Sequence, residues 1–323
     1  MIIASAPAKV ILVGEHFVVE NEPAIAVAVD VRAFVTASKR RDNLITLKSL
    51  NLGISDSITK DKNAERKEFK PLEVIVRKLE EEVGSWIGLD VVIDSKIPIA
   101  AGMGSSAAVA VASTLAISRV LGLELSRKEI SRIAYEAEKI VHGKPSGIDN
   151  TISTYGGAII YRKSEGFVPL ECDFSGYKLV LADSGIPRST GEMVIKVRKL
   201  KNKYPKVMDP LYHAAGRLTI EAAKALRDRD FTRLGELMNI NHGLLSAVGV
   251  SNEKLEQLVY AARRAGVLGA KITGAGGGGY IVALTDENNA SKVAKVLESL
   301  SKRVLVLDVS DEGARVEQVG KNK

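Results

Sequence analysis

The sequence predicts an α+β protein of two domains, and three observations carry that reading. The chain has 323 residues, and at roughly 150 residues per domain the length suits two units. Its first half alternates short β-branched runs with helical patterns. From about Tyr177 the composition shifts to a run of helices, then strands with helices between them, a pattern that suits helices packed on one face of a sheet. The division falls near residue 176, so the expected domains are 1–176 and 177–323.

In chain order, residues 2–3, 10–13, 24–29 and 34–37 read as short strands from their β-branched content and bounding turn residues, with 45–47 a further candidate. A polar, Lys-rich stretch over 55–67 reads as a mobile loop. A helix is expected from about 71 to 83 and a strand over 89–94. Residues 97–118 carry no charge and are long enough to span a bilayer, but Pro98, Gly102, Gly104, Ser105, Ser106, Ser113 and Thr114 break up a mostly Ala and Val run. That segment reads as a glycine loop entering a small-residue helix.

Ser126 and Glu129 form a Ser-x-x-Glu capping box, in which each side chain satisfies a free backbone N–H at the other's end. Ile130, Ile133, Ala134, Ala137, Ile140 and Val141 then recur at helical spacing, and Gly143 closes the helix. Glu136 falls on the polar side. Glu138 falls about 80° from the centre of the apolar stripe, where it can face a cleft. In the second half, 178–182, 270–273, 280–284 and 304–309 read as strands, and 211–226, 231–247 and 290–300 as helices.

Composition excludes several classes. Hydrophobic residues make up 46% and charged residues 26%, which is ordinary for a globular chain and not for a disordered, collagen-like or coiled-coil one. With 46 Lys and Arg against 39 Asp and Glu the charge is +7 and the pI about 9.3, which suits nucleic acid or a small anionic substrate. The lone Cys172 forms no internal disulfide, and four scattered histidines show no zinc spacing, so a reducing, cytoplasmic compartment is expected. The opening residues have no basic n-region and Lys9 interrupts their apolar run, so no secretory signal is expected. A basic run over 196–206 holds six Lys or Arg and no acid, and reads first as a solvated helix face, second as a means of steering anions.

Four stretches can carry chemistry, each with a plain structural reading beside it. Pro98-Ile99-Ala100-Ala101-Gly102-Met103-Gly104-Ser105-Ser106-Ala107-Ala108 lies between a strand and a helix. Its glycines permit close backbone approach and the helix start offers free N–H groups to an anion; a tight turn with Ser105 as N-cap accounts for it equally well. The run Gly274-Ala275-Gly276-Gly277-Gly278-Gly279 formally matches G-x-G-x-x-G, yet a strand follows where that fingerprint needs a helix. Bare backbone closing over a phosphate, with Gly276 and Gly277 at its centre, is preferred to a hairpin turn. Asp149 ends a loop fixed by Pro145 and Gly147 ahead of a β-branched stretch, and alone it reads as a turn former. Lys9 begins a strand that should be buried, so it needs a carboxylate partner; Glu15 and His16 sit at the turn after it, and alone a surface-edge Lys and a polar turn are the simpler reading.

Together and in this order, residues 7–16, 98–108 and 271–280 resemble the three motifs of the GHMP kinases, the superfamily of galactokinase, homoserine kinase, mevalonate kinase and phosphomevalonate kinase. Gly14-Glu15-His16, the stretch Lys144 to Asn150 with Ser153 to Gly157, and Met238-Asn239 with 244–251 are most similar to the mevalonate kinases. No galactokinase-like sugar signature is found near the start, and Met103 stands where Leu is usual, a volume-conserving swap.

The resemblance implies an N-terminal ATP-binding domain with a left-handed βαβ unit, a ferredoxin-like C-terminal domain, and ATP- and Mg²⁺-dependent phosphorylation of the 5-hydroxyl of mevalonate. It implies that Asp149 is the catalytic base with Lys9 against it, and that Ser106 and Glu138 hold Mg²⁺. The 98–108 loop would wrap the phosphates, and Asn51 would reach the nucleotide. Glu15, His16, Ser146 and Thr190 would contact mevalonate. Charge and place make Arg188 and Arg162 the candidate cations for its carboxylate. Two alternatives stay open: another small-molecule kinase of the superfamily, such as one for phosphomevalonate, or a non-catalytic RNA-binding protein on the same fold. Retention of Lys9, Ser106, Glu138 and Asp149 together argues against the second. Neither a nucleic-acid partner nor a membrane is expected, and a homodimer is left open.

Overall fold

A computed structural model describes residues 1–98, 101–143 and 145–317. Its first sheet is built from β1 (Ile2–Val13), β2 (Ala24–Lys39), β3 (Ile45–Ser49) and β4 (Ile54–Ile58). The helix α1 (Lys70–Val83) then leads to β5 (Leu89–Ser95). Three helices follow, α2 (Ser105–Leu121), α3 (Arg127–His142) and α4 (Ile148–Tyr155), and then β6 (Ala158–Arg162) and β7 (Gly166–Leu170). Strand order is β4, β3, β5, β2, β1, with β6 also on β2 and β7 on β6. Pairing is antiparallel except between β3 and β5, which are parallel and are connected through β4 and α1.

Two expected strand pairs are single long strands. Ala4, Ala6 and Ala8 break the β-branched pattern of β1, but all three are fully buried in the core that α2 also lines, and that packing overrides their low strand propensity. In β2 the gap expected between 29 and 34 is absorbed by a register shift opposite Pro7 and Ala8, which lets Arg32 turn inward to donate to Ser5 Oγ at 2.7 Å. The stretch expected as a loop from 55 begins as β4. Asp56 then ties its remainder down by accepting the N–H groups of Glu65 and Arg66, each at 2.8 Å.

The helix α4 also departs from expectation. Its Thr and Ile content reads as strand-like, yet Thr151 Oγ1 donates back to Gly147 O and Thr154 Oγ1 to Asn150 O, both at 2.7 Å. Packing against β1, α2 and α3 does the rest. By contrast α3 starts where the capping box puts it, with both reciprocal bonds present.

The second sheet comprises β8 (Tyr177–Asp183), β9 (Gly269–Ile272), β10 (Tyr280–Asp286) and β11 (Arg303–Leu307). Between β8 and β9 run α5 (Thr190–Lys203), α6 (Pro205–Arg227), α7 (Phe231–Ala247) and α8 (Glu253–Arg264), and α9 (Glu287–Glu298) joins β10 to β11. The order β11-β8-β10-β9, antiparallel throughout, is the βαββαβ ferredoxin-like arrangement with an enlarged first crossover. The chain then returns: β12 (Arg315–Val316) pairs with β1, so the first sheet includes the last strand. Among the described residues no helix is long and apolar enough to cross a membrane.

Candidate active site

Lys9 lies within β1 between buried neighbours, with a side chain only 6% exposed. An ammonium there needs a counter-charge, and Asp149 supplies it, Nζ to Oδ1 at 3.0 Å. Asp149 stands in the first turn of α4. That helix is fastened by Ser153 Oγ donating to Pro7 O at 2.9 Å and Asn150 Nδ2 donating to Ser131 Oγ at 2.8 Å. Asp149 keeps 32% of its side chain open, so the carboxylate meets Lys9 on one side and solvent on the other.

Met103 and Gly104 lie over this pair. Lys9 N–H donates to Met103 O at 2.9 Å, and a Cβ on Gly104 would stand 3.0 Å from Lys9 Cγ and 3.5 Å from Asp149 Oδ2. Gly104, at φ 70°, is itself the cap of α2 and no side chain caps that helix, so Ser105 is its first residue and not its N-cap. The first-turn N–H groups are therefore not taken up by a capping side chain and are suited to an anion. In that first turn, Ser106 Oγ donates to Glu138 Oε1 at 2.5 Å, and Glu138 is buried. Ala101, Met103, Ala107 and Ala108 turn their side chains into the core, so any contact they make with a ligand is through backbone. Ile99, Ala100 and Lys144 lie outside the described residues. Asn51 gives both ends of its amide to the backbone of Ser95, donating to O at 2.7 Å and accepting from N–H at 2.6 Å, which braces the end of β5 ahead of the loop.

Glu15 and His16 follow β1. Both are buried, and Glu15 faces the second sheet: its carboxylate accepts from Lys271 Nζ and from Asn241 Nδ2. His16 has φ 64° and ψ −43°, and Phe17 N–H donates to Glu15 O at 2.8 Å across it. That is a γ-turn of positive φ, costing on the order of 1–3 kcal/mol for a residue with a side chain. The ring Nε2 bonds Ala275 O at 2.8 Å, and since a carbonyl only accepts, Nε2 carries the proton. Burial pushes the imidazole below its ordinary pKa of 6.5, more than the Ala275 carbonyl and Glu15 raise it, so His16 is neutral at pH 7 with Nδ1 an acceptor.

Arg188 brings a guanidinium to this corner. It donates to Thr273 O at 3.2 Å, and a Cβ on Gly102 or Gly274 would run into its guanidinium. Burial lowers its pKa while Asp183 and Asp149 raise it. Arg162, by contrast, pairs with Glu165 at 2.6 Å at the end of β6. Gly276 and Gly277 pack on protein: their absent Cβ atoms would meet Val250 O and Met193 Sδ, and Gly277 N–H already donates to Val250 O at 2.7 Å. Ser146 precedes α4, accepting from Ile148 N–H with its hydroxyl and from Tyr161 OH with its carbonyl. Thr190 opens α5, exposed, one residue after Ser189, whose Oγ caps that helix. The basic run of α5 is largely solvated, with Val197 its one buried residue.

Sequence reasoning missed Lys271, fully buried on β9, and with it Asn241 and His242 of α7. The signal was present. Lys271 sits between Ala270 and Ile272 in an apolar strand, as Lys9 does in β1, and the same need for a carboxylate applied.

The chain matches the GHMP kinases N terminal domain over residues 70–157 and the GHMP kinases C terminal model over 222–302. It is 42% identical to a mevalonate kinase of Pyrococcus horikoshii, covering 99% of each chain, and 38% identical to one of Aeropyrum pernix, covering 98% of each. Among solved structures it resembles L. major mevalonate kinase in complex with R-mevalonate, with a TM-score of 0.81, 29% identity and 96% of each chain covered. The Methanococcus jannaschii mevalonate kinase superposes with a TM-score of 0.84 at 28% identity, covering 95% of this chain and 98% of that one.

Proposed function

Because the chain belongs to the GHMP kinase family and groups within it with the mevalonate kinases, we propose that it transfers the γ-phosphoryl group of ATP to the 5-hydroxyl of mevalonate, giving 5-phosphomevalonate and ADP. The observation that carries this reading is the Lys9–Asp149 pair lying directly beneath Gly104 of the loop that opens α2. The residue proposed as base and the helix start proposed to bind an anion are thus neighbours.

In this reading Asp149 takes the proton of the 5-hydroxyl as its oxygen attacks the γ-phosphorus, and the bond to the β-phosphate oxygen breaks on the far side. Lys9, paired with the carboxylate at 3.0 Å, holds it in place and offsets the charge growing on the attacking oxygen. The N–H groups at the start of α2 take the phosphates. Ser106 and Glu138, a hydroxyl and a carboxylate in contact, are hard oxygen donors that fit magnesium, a cation that takes few protein ligands alongside phosphate. When bound, the ion would offset the negative charge of the phosphates. Since neutral His16 carries no charge, Arg188 is the cation for the mevalonate carboxylate, and His16 Nδ1 is suited to accept from a hydroxyl.

A panel of acceptor alcohols with ATP and magnesium, read by product mass, tests the reading. Mevalonate should be turned over at least about tenfold better than homoserine, galactose or phosphomevalonate, roughly 1.4 kcal/mol of discrimination. Equal turnover of any of the three would move the activity elsewhere in the family.

A further inference from the structure

His16 stands in a backbone conformation that its own Cβ disfavours, and such a turn persists only where its surroundings over-determine it. One restraint is the bond from its ring to Ala275 O. The other runs through Glu15. That carboxylate is 2% exposed, and its two oxygens accept from Lys271 and from Asn241, while Asn241 Oδ1 accepts the Gly14 N–H at 3.3 Å. Lys271, at 0% exposed, also donates to Ile272 O at 2.5 Å and reaches no water. It stands on the second sheet, whereas Glu15 lies in the turn that follows the first strand of the first sheet.

Two buried charges thus join the sheets beside the reacting pair, yet neither touches Asp149. A buried ion pair adds little net stability over an apolar pair of equal volume; what it adds is a demand for one arrangement. We infer that Lys271 is a positioning residue for the acceptor half of the site: through Glu15 it holds the 14–17 turn, and so sets where His16 meets the acceptor. This rests on reading that turn as part of the acceptor site. Asn241 serves the same end by tying Glu15 to the Gly14 N–H, where a Cβ would strike Pro23 and Ala24.

The test uses the full chain with Lys271→Met and the double variant Glu15→Gln/Lys271→Met. Removing Lys271 alone leaves Glu15 buried without a cation, so the turn should relax. Removing both charges leaves an amide that Asn241 can still hold. The first readout is the His16 imidazole titration by NMR, tractable with four histidines in the chain and assigned with His16→Asn. It needs no substrate, so it stands apart from the acceptor panel that tests the reaction itself. In Lys271→Met the His16 titration should rise towards its ordinary value. KM for mevalonate should rise at least about tenfold, with KM for ATP within about twofold of wild type. The double variant should lie nearer wild type than the single on both readouts.

An unmoved His16 titration in folded Lys271→Met would overturn the inference, as would equal rises in the two KM values. So would a double variant no better than the single, since Lys271 would then not act through Glu15. Should Lys271→Met fail to fold, a double variant that folds with His16 still titrating low supports the inference. One that fails to fold, or folds with His16 at its ordinary value, overturns it.

Discussion

Asp149→Asn removes the charge that faces Lys9 while keeping the side chain's shape. At the observed 3.0 Å the pair's attraction is roughly 5 kcal/mol at an effective dielectric near 20. Most of that does not appear as stability, because Asp149 keeps about a third of its side chain in water and the asparagine oxygen still accepts a bond from Lys9. The expected loss of folding stability is therefore about 1–3 kcal/mol, the cost of an under-satisfied buried ammonium. Turnover should suffer more. General-base catalysis contributes about 10²–10⁴-fold, or roughly 3–5 kcal/mol of barrier. ADP release followed by a coupled assay measures the second effect, thermal denaturation the first, and calorimetry with a non-hydrolysable ATP analogue the third expectation, an ATP affinity within about threefold of wild type. Lys9→Met should also slow turnover, and the double variant should lose far less than the product of the two single losses, because groups that act as a unit are not additive. A fully active Asp149→Asn refutes the base assignment; multiplicative losses refute the coupling.

Further outcomes follow from the same geometry. Glu138→Gln should raise the magnesium needed for half-maximal turnover by about tenfold or more, since it removes the charged partner of Ser106; an unchanged titration would detach this pair from the metal. Gly102→Ala places a Cβ 1.3 Å from Arg188 Nη2 at φ +69°, so it should displace the guanidinium and raise KM for mevalonate about tenfold, with a smaller change for ATP. Stability should also depend on acidity. Burial lowers the folded pKa of both His16 and His242 below 6.5, so the unfolded chain binds protons first as pH falls. Their contribution is fully present above pH 6.5 and is lost as pH falls below it towards the lowered folded values. A melting temperature level from pH 8 to 7 and falling below 6.5 is expected, and one that climbs on acidification would contradict it.

The parts of the fold legible in the sequence are those whose cause is local. The capping box at Ser126 and Glu129 locates the start of α3 to the residue, because both partners of each bond lie within four residues. Elements whose cause is distant were not legible in the same way. The alanines of β1 are strand because the core they share with α2 buries them, and α4 is helical because β1, α2 and α3 enclose it. In the glycine loop before β10, the surfaces that exclude a Cβ at 276 and 278 come from Val250 and Ile186, far off in sequence, so a requirement of packing reads as an open cradle for phosphate.

Lys9 and Lys271 obey the same rule. A strand-borne Lys with apolar neighbours demands a carboxylate, and for Lys9 that demand leads to Asp149. Lys271 meets the same condition within β9, so its partner was equally demanded, although spacing alone could not name it. The structure names Glu15, which is one residue from His16 and was read as a ligand-binding group from its motif. Once both lysines are counted, the motif-one strand and turn take part in two ion pairs with a buried lysine in each, one toward α4 and one toward the second sheet. The first pair has an open face and stands under Gly104, which suits the reacting role proposed for it. The second is sealed on all sides, which suits holding a turn and not meeting a substrate. Exposure, not residue type, is what separates the two roles.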